Sequence, residues 1–265
     1  MDEIALAIEA PLARIRLSRP ERRNAVSLAM WRALPELCWR IEAAKDALVV
    51  IVEGVGDHFS VGADINEFGA VYRNAETTRD YLHAIQDGLN ALIALDKPTI
   101  AALRGNAIGG GFALGLCCDL RFGADNVHLA ITASKLGLLF GFAETRRLVD
   151  LVGPARAKDI LYSARRIDGA EALAIGLIDR LTPADRLSGA VEAYARDLAG
   201  LSQQSIRGAK FAVEAITRGL TTETQAFRRL IEDAARGEDS LEGRRAFAEK
   251  RAPNFKFRGR VENPD

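Results

Sequence analysis

Cysteine, histidine, charge imbalance and long apolar runs are all scarce in this chain. Its three cysteines are Cys38, Cys117 and Cys118, two of them adjacent, and no C-x-x-C pair occurs. That spacing offers no disulfide framework, so all three read as reduced core residues, and a cytosol-like, cytoplasmic location is expected. The three histidines, His58, His83 and His128, lack metal-ligand spacing with acids or cysteines, so no metal is expected. Lys+Arg and Asp+Glu both number 36, for a formal net charge of zero. Such a chain has no long-range field to draw in nucleic acid or an acidic surface, and little self-repulsion to keep copies apart. No apolar run approaches membrane-spanning length. The first nine residues carry Asp2 and Glu3 where a secretory leader would be basic, so neither a membrane span nor a leader is expected. Internal repeats and low-complexity tracts are missing too.

What is present is ample apolar content. With 265 residues and 48% hydrophobic residues, the chain can bury a large core as one domain, or as one domain with a helical appendage. Two stretches, 4–9 and 12–18, read as a hairpin. Ser27 is placed to cap a helix running to about Lys45, with Pro35 a possible kink. Leu48 to Val52 is wholly apolar and reads as a buried strand, and Thr99 to Leu103 reads as a second. Between them, Glu76 to Leu95 has helical spacing, with Tyr81, Ile85, Leu89 and Leu92 on one face. A short helix is expected from Gly110 to Cys117, and further strands at 120–122, 127–131 and 178–181. Helices are expected at 144–151, 154–163 and 169–174, and from Ala184 onward only helices, broken near Ser202, Gly219 and Gly237. The pattern is an α/β core over 1–200 with a helical C-terminal region over 201–265.

Two glycine-containing loops carry the chemical signal. "GNAIGGGFAL", Gly105 to Leu114, follows one buried strand and opens an apolar helix. A helix start bares unpaired N–H groups and a partial positive charge, and Gly109 and Gly110 let an oxygen atom approach them. The motif is neither G-x-G-x-x-G nor a G-K-[ST] phosphate loop. Close helix–strand packing alone would also account for the glycines. The second loop, "HFSVGADINEF", His58 to Phe68, follows the other buried strand at a similar distance. If the two strands are neighbours, one N–H from each loop can converge on one carbonyl oxygen and stabilise an enolate or tetrahedral oxyanion.

At this point the sequence resembles the crotonase, or enoyl-CoA hydratase/isomerase, superfamily over almost its whole length. The segments that carry the resemblance are "RPERRNAVS" (19–27), "HFSVGADINEF" (58–68), "KPTIAALRGNAIGGGFALGLCCDLRF" (97–122), "RRLVDLVG" (146–153), "EALAIGLIDRL" (171–181) and "EGRRAFAEKRAPNF" (242–255). The resemblance implies a spiral of ββα units with a helical C-terminal trimerisation region. It implies a homotrimer or a hexamer built as a dimer of trimers, and an acyl-CoA thioester as ligand. Coenzyme A would enter as part of the substrate, with no separate cofactor. The implied oxyanion hole is the backbone N–H of Ala63 and of Gly110, beside Gly109. Implied CoA contacts are Arg22, Arg23 and Ala25, the run Ser60, Val61, Ala63, Asp64, Ile65 and Asn66, and Phe247 and Lys250 from a neighbouring subunit. Cations there would pair with the CoA phosphates.

The sequence departs from the family pattern where a hydratase carries its two glutamates. Those positions hold Ala113 and Ala133. Each general acid–base group is worth roughly 10²- to 10⁴-fold in rate, so ordinary water addition should be slow. Glu144 is the replacement candidate, although a first-turn carboxylate also complements a helix dipole. Thr132, Lys135, His58 and Asp64 lie in or near the same segments, with Asp64 also placed to cap a turn and Lys135 to be solvated. Leu138, Leu139, Phe140 and Phe142 fit an acyl pocket or ordinary core packing. Three functions stay open: an acyl-CoA enzyme other than a standard hydratase, a non-catalytic acyl-CoA binding or carrier protein, and an assembly role.

Overall fold

Apolar runs of five or six residues, too short for helices, form the centre of the computed structural model, which describes residues 3–261. In chain order the elements are β1 (Ile4–Glu9), β2 (Leu12–Leu17), α1 (Leu28–Ala43), β3 (Val49–Gly54), α2 (Phe68–Val71), α3 (Ala75–Ile93), β4 (Thr99–Leu103), β5 (Asn106–Ile108), α4 (Gly110–Cys117), β6 (Leu120–Ala124) and β7 (His128–Ala130). There follow α5 (Phe142–Ser163), β8 (Ile167–Asp168), α6 (Gly169–Ala174), β9 (Arg180–Thr182), α7 (Leu187–Ala199), α8 (Gln203–Thr217), α9 (Gln225–Arg236) and α10 (Glu238–Glu249).

A six-stranded sheet has the order β1-β2-β3-β4-β6-β9, antiparallel at β1-β2 and parallel elsewhere. A three-stranded sheet has the order β5-β7-β8. Successive units place one strand in each sheet and then a helix: β4, β5 and α4, then β6, β7 and α5. This is the ββα spiral of a mixed α/β fold.

The central strands β3 and β4 are mostly apolar because both faces are covered, with Glu53 and Thr99 as polar exceptions near their ends. Val50 and Val52 of β3 join Ile15, Ala101 and Leu103 in one core with residues of α1, α3 and α4. Val49 and Ile51 join Leu12, Ile100 and Phe122 in a second core, closed by Leu187, Val191 and Ala195 of α7. Alternate residues of one strand therefore feed two hydrophobic layers.

Most expected elements are present, with several differences. Ser27 caps α1, its Oγ accepting from the Met30 N–H at 3.2 Å, and α1 runs through Pro35 to end at Ala43. Gly153, at φ 77°, splits α5 into the two helices that the sequence indicates. The strands β5 and β8, three and two residues long, were not expected, because so few residues carry no readable period. The strand expected at 127–131 is shorter, and β9 begins at Arg180. All three cysteines are free and buried, and no described helix is long and apolar enough to cross a membrane.

Buried charge ties the helical C-terminal region to the sheet. Lys210 Nζ of α8 donates to Asp119 at 2.8 Å and to the Lys97 carbonyl at 3.0 Å. Arg207, 1% exposed, donates to Asp96 at 3.2 Å and to the Gly259 carbonyl, and Asp96 also accepts the Val261 N–H at 3.2 Å. The last described residues thus run back onto the loop ahead of β4.

The second core layer rests on one helix. Leu187→Ala, at a fully buried position, should lower unfolding free energy by about 2–5 kcal/mol in chemical denaturation.

Candidate active site

Because β3 and β4 are adjacent and parallel, the loops after them emerge at the same edge. The 58–64 turn is held on both sides by main-chain bonds. On one side the Ser60 N–H donates to Asn106 O and the Ile108 N–H to Ser60 O, each at 2.9 Å. On the other the Val26 N–H donates to Gly62 O at 2.7 Å, and the Asp64 N–H to Val26 O at 3.0 Å. Glycine is required where these layers touch. A Cβ at Gly111 would lie 2.5 Å from Ser60 Cβ. Gly62 has φ of 97°, and a Cβ there would sit 2.7 Å from Ile108 O.

The same bonds fix a direction. In a trans peptide the N–H points opposite to the C=O. The Gly62 carbonyl faces Val26, so the Ala63 N–H faces away from Val26, toward the start of α4. A Cβ at Gly62 would be 3.4 Å from Gly110 N, and one at Gly110 would be 3.7 Å from Ala63 N. Gly110 is the first residue of α4, so its N–H has no partner within the helix. Among the described residues neither N–H finds a protein acceptor. The indole of Trp31, 1% exposed, closes the far side, with Cζ2 3.3 Å from the Gly110 Cβ position. Two unpaired main-chain donors side by side at a helix start can stabilise negative charge on one oxygen.

The other expected site residues fall into two groups. Several are committed to the loop itself. Ser60 is fully buried, donating through Oγ to Asn24 O at 2.7 Å and accepting from the Gly62 N–H at 3.1 Å. Ala25 is buried, and Val61 donates its N–H to Arg23 O at 3.1 Å. Asp64, 6% exposed, caps the turn over Ile65–Glu67 and pairs with Arg19 at 2.8 Å. Burial would raise its carboxyl, but hydrogen bonds from Arg19 and Asn66 together hold it below the usual range. The others face solvent. Arg22, Arg23, Ile65 and Asn66 are exposed on the crevice loops, and Phe247, 88% exposed, and Lys250 stand at the end of α10.

Asn24 was not singled out in the sequence. It is fully buried with φ of 57°, and its amide donates to Val55 O at 2.9 Å and His58 O at 2.7 Å. Its place between Arg23 and Ala25 in "RRNAVS" was the available signal, since asparagine tolerates left-handed backbone and bonds nearby main chain.

Ala113 is buried in α4 and Ala133 is half-buried in the 3₁₀ turn Ala133–Lys135. Glu144 is 4% exposed in the first turn of α5, with Oε2 buried and unpartnered. Its carboxylate folds back over Gly141, where a Cβ would meet Cδ at 2.7 Å. Burial pushes its carboxyl up, against a smaller opposing effect of its own amide. Cys117, one turn after Ala113 on the same face of α4, has its thiol raised by burial first and by the Glu144 charge among smaller effects. Thr132 Oγ1 lies 3.6 Å from the Gly109 Cβ position, Lys135 is exposed, and His58 accepts the Asn106 N–H at Nδ1, 3.1 Å away. In the 138–142 segment Leu139 and Phe142 are exposed, whereas Phe140 packs on the core. Among the described residues no group of three or more His, Cys, Asp or Glu could hold a metal ion.

A cavity of about 740 Å³ opens elsewhere, lined by Pro98, Leu120, Tyr194 and Lys210 where α5, α7 and α8 meet. Its charges are spent on one another, Lys210 with Asp119 and Arg147 with Glu214.

The sequence profile of the enoyl-CoA hydratase/isomerase family matches residues 7–258. The chain belongs to that family. This family member is 32% identical to the crotonyl-CoA hydratase of Syntrophomonas wolfei, over 96% of this chain and 98% of that one. Among solved structures it resembles an enoyl-CoA hydratase/isomerase family protein from Hyphomonas neptunium at a TM-score of 0.93 and 38% identity, over 96% and 97% of the two chains. An enoyl-CoA hydratase/carnithine racemase from Magnetospirillum magneticum gives 0.91 and 34%, over 97% and 96%.

Two outcomes follow for this enoyl-CoA hydratase/isomerase family member. Gly62→Ala forces a side chain into left-handed backbone and should cost about 1–3 kcal/mol of stability from strain alone, read by denaturant titration. Glu144 has a folded pKa above its unfolded value of 4.5. Its protonated form therefore favours the fold at low pH, and that contribution is lost as pH rises through the folded pKa. Glu144→Gln should accordingly gain Tm relative to wild type across that window, and show no such trend below pH 4.5.

Proposed function

We propose that this family member binds an acyl-CoA thioester and stabilises its enolate or oxyanion at the N–H groups of Ala63 and Gly110, but is not a standard hydratase. The observation that carries this reading is the pair of unpaired main-chain donors, set beside alanines at 113 and 133. When the α-carbon loses a carboxyl group as CO2 or gives up a proton to water, the electron pair left behind moves onto the thioester oxygen, where the two donors bind the charge, and protonated Glu144 supplies a proton as the enolate collapses. Glu144 is the proton-transfer group in this scheme. Its buried, unpartnered oxygen and upward-shifted carboxyl suit an acid that keeps its proton above the normal carboxylate range. Double-bond shift, decarboxylation and carbon–carbon cleavage pass through such an enolate, and thioester hydrolysis through a tetrahedral oxyanion that the same two donors can bind.

CoA lies along the crevice loops in this reading, with Arg22 and Arg23 toward its phosphates. Phe247 and Lys250 act from a neighbouring copy, in a trimer or a dimer of trimers. Their exposure on α10 leaves them available for that contact. The alanines also favour a second reading, in which the crevice holds acyl-CoA without chemistry.

With crotonyl-CoA, loss of the enoyl-thioester absorbance should run at least about 10²-fold below the rate of a two-glutamate hydratase. Rapid hydration would sink the proposal. Butyryl-CoA in excess over its Kd should raise Tm, since a ligand of the native state stabilises it; no shift at millimolar ligand would remove both readings. Given an active substrate, Glu144→Gln should cut kcat by roughly 10²-fold or more. An unchanged rate would take Glu144 out of the mechanism.

A further inference from the structure

The geometry points to Arg19 as a positioning residue that, through Asp64, holds the Ala63 N–H in its direction. The inference rests on the reading of that N–H as a donor to a thioester oxygen. Arg19 follows β2, and its side chain is only 13% exposed. Its guanidinium uses three nitrogens on three partners. Nε meets Glu3 Oε1 at 3.1 Å, Nη1 donates to Ala25 O at 2.8 Å, and Nη2 to Asp64 Oδ2 at 2.8 Å. Its own N–H donates to Asn24 Oδ1 at 2.9 Å.

Two of these partners, Ala25 and Asp64, lie on the two strands of one small bridge. Ala25 precedes Val26, Asp64 follows Ala63, and Val26 pairs with Ala63. The guanidinium therefore grips both segments one residue from the pair that sets the Ala63 peptide. On the far side of Asp64, Oδ1 accepts Asn66 N–H at 3.1 Å and Asn66 Nδ2 at 2.8 Å, so the carboxylate cannot swing without breaking charged bonds. A second ring closes through Glu3, which accepts Ser27 Oγ at 2.5 Å at the α1 cap. Glu67 fastens the end of the same turn, accepting the Leu28 N–H at 2.7 Å. Lysine carries its donors on one nitrogen and cannot span three partners arranged around a planar guanidinium. The constraint matters because an oxyanion donor works by being fixed before charge develops.

The test compares two probes on the full chain. Butyryl-CoA carries the thioester oxygen, and S-butyl-CoA, a thioether, lacks it. Wild type should bind butyryl-CoA about tenfold more tightly, the worth of two main-chain hydrogen bonds. In Arg19→Gln that ratio should fall toward one, with the S-butyl-CoA Kd unchanged. Arg19→Lys should not restore it. Isotope-edited infrared spectra of bound [1-¹³C]butyryl-CoA should show the carbonyl stretch moving back toward its free value in the same variants. A ratio preserved in Arg19→Gln overturns the role of Arg19 and leaves the reading of the site standing. Equal loss of both probes also overturns it, since Arg19 would then be holding the fold alone. A wild-type ratio of one removes the site reading, and this inference with it. Should Arg19→Gln fail to fold, Arg19→Lys carries the test alone: the ratio is expected to fall with the S-butyl-CoA Kd unchanged, and a preserved ratio overturns the role of Arg19.

Discussion

The crevice depends on how closely the 58–64 turn lies against the start of α4. Ser60 and Gly111 are in contact with no room for one more carbon, and Ser60 is hydrogen-bonded through its main chain to residues on both ends of β5. That contact sets the separation of the Ala63 and Gly110 amides. The other features serve it: parallel β3 and β4 bring the loops to one edge, Asn24 pins one loop to the next, and Trp31 walls the far side. The two hydrophobic layers hold the strands so that the loops have fixed ends.

Much of this was legible in the sequence. The apolar runs of β3 and β4 marked strands covered on both faces, and Ser27 marked the start of α1. The glycine triplet marked the start of α4, because glycine there has a use that outweighs its entropic cost. Less legible were features that arise only in three dimensions. Strands β5 and β8 are defined by their partners, and Ala113 gives no sign of which groups surround it. Asp64 read as both a cap and a ligand contact, and its pairing with half-buried Arg19 is visible only in the folded chain. Glu144 read both as a helix-dipole partner and as an acid; its depth and its orphaned oxygen are visible only in the folded chain.

The polar interior is divided by purpose. Near the crevice, Arg19, Asp64, Asn24 and Ser60 form a connected set in which each group has partners. At the opposite end, Arg207, Asp96 and Lys97 fasten the C-terminal helices and the last described residues to the sheet. Glu144 belongs to neither set. It stands in the interior with one oxygen unsatisfied, a condition that costs stability unless some other molecule supplies the partner.

The donors at Ala63 and Gly110 are peptide groups and belong to no side chain. If the proposed function holds, codon changes at 113, 133 or 144 can therefore alter which proton moves without displacing the paired amides, because their placement is written in glycines and bridge pairing several positions away. On the proposed reading, a scaffold of this kind can exchange one reaction for another, or fall silent, while the two amides keep their places.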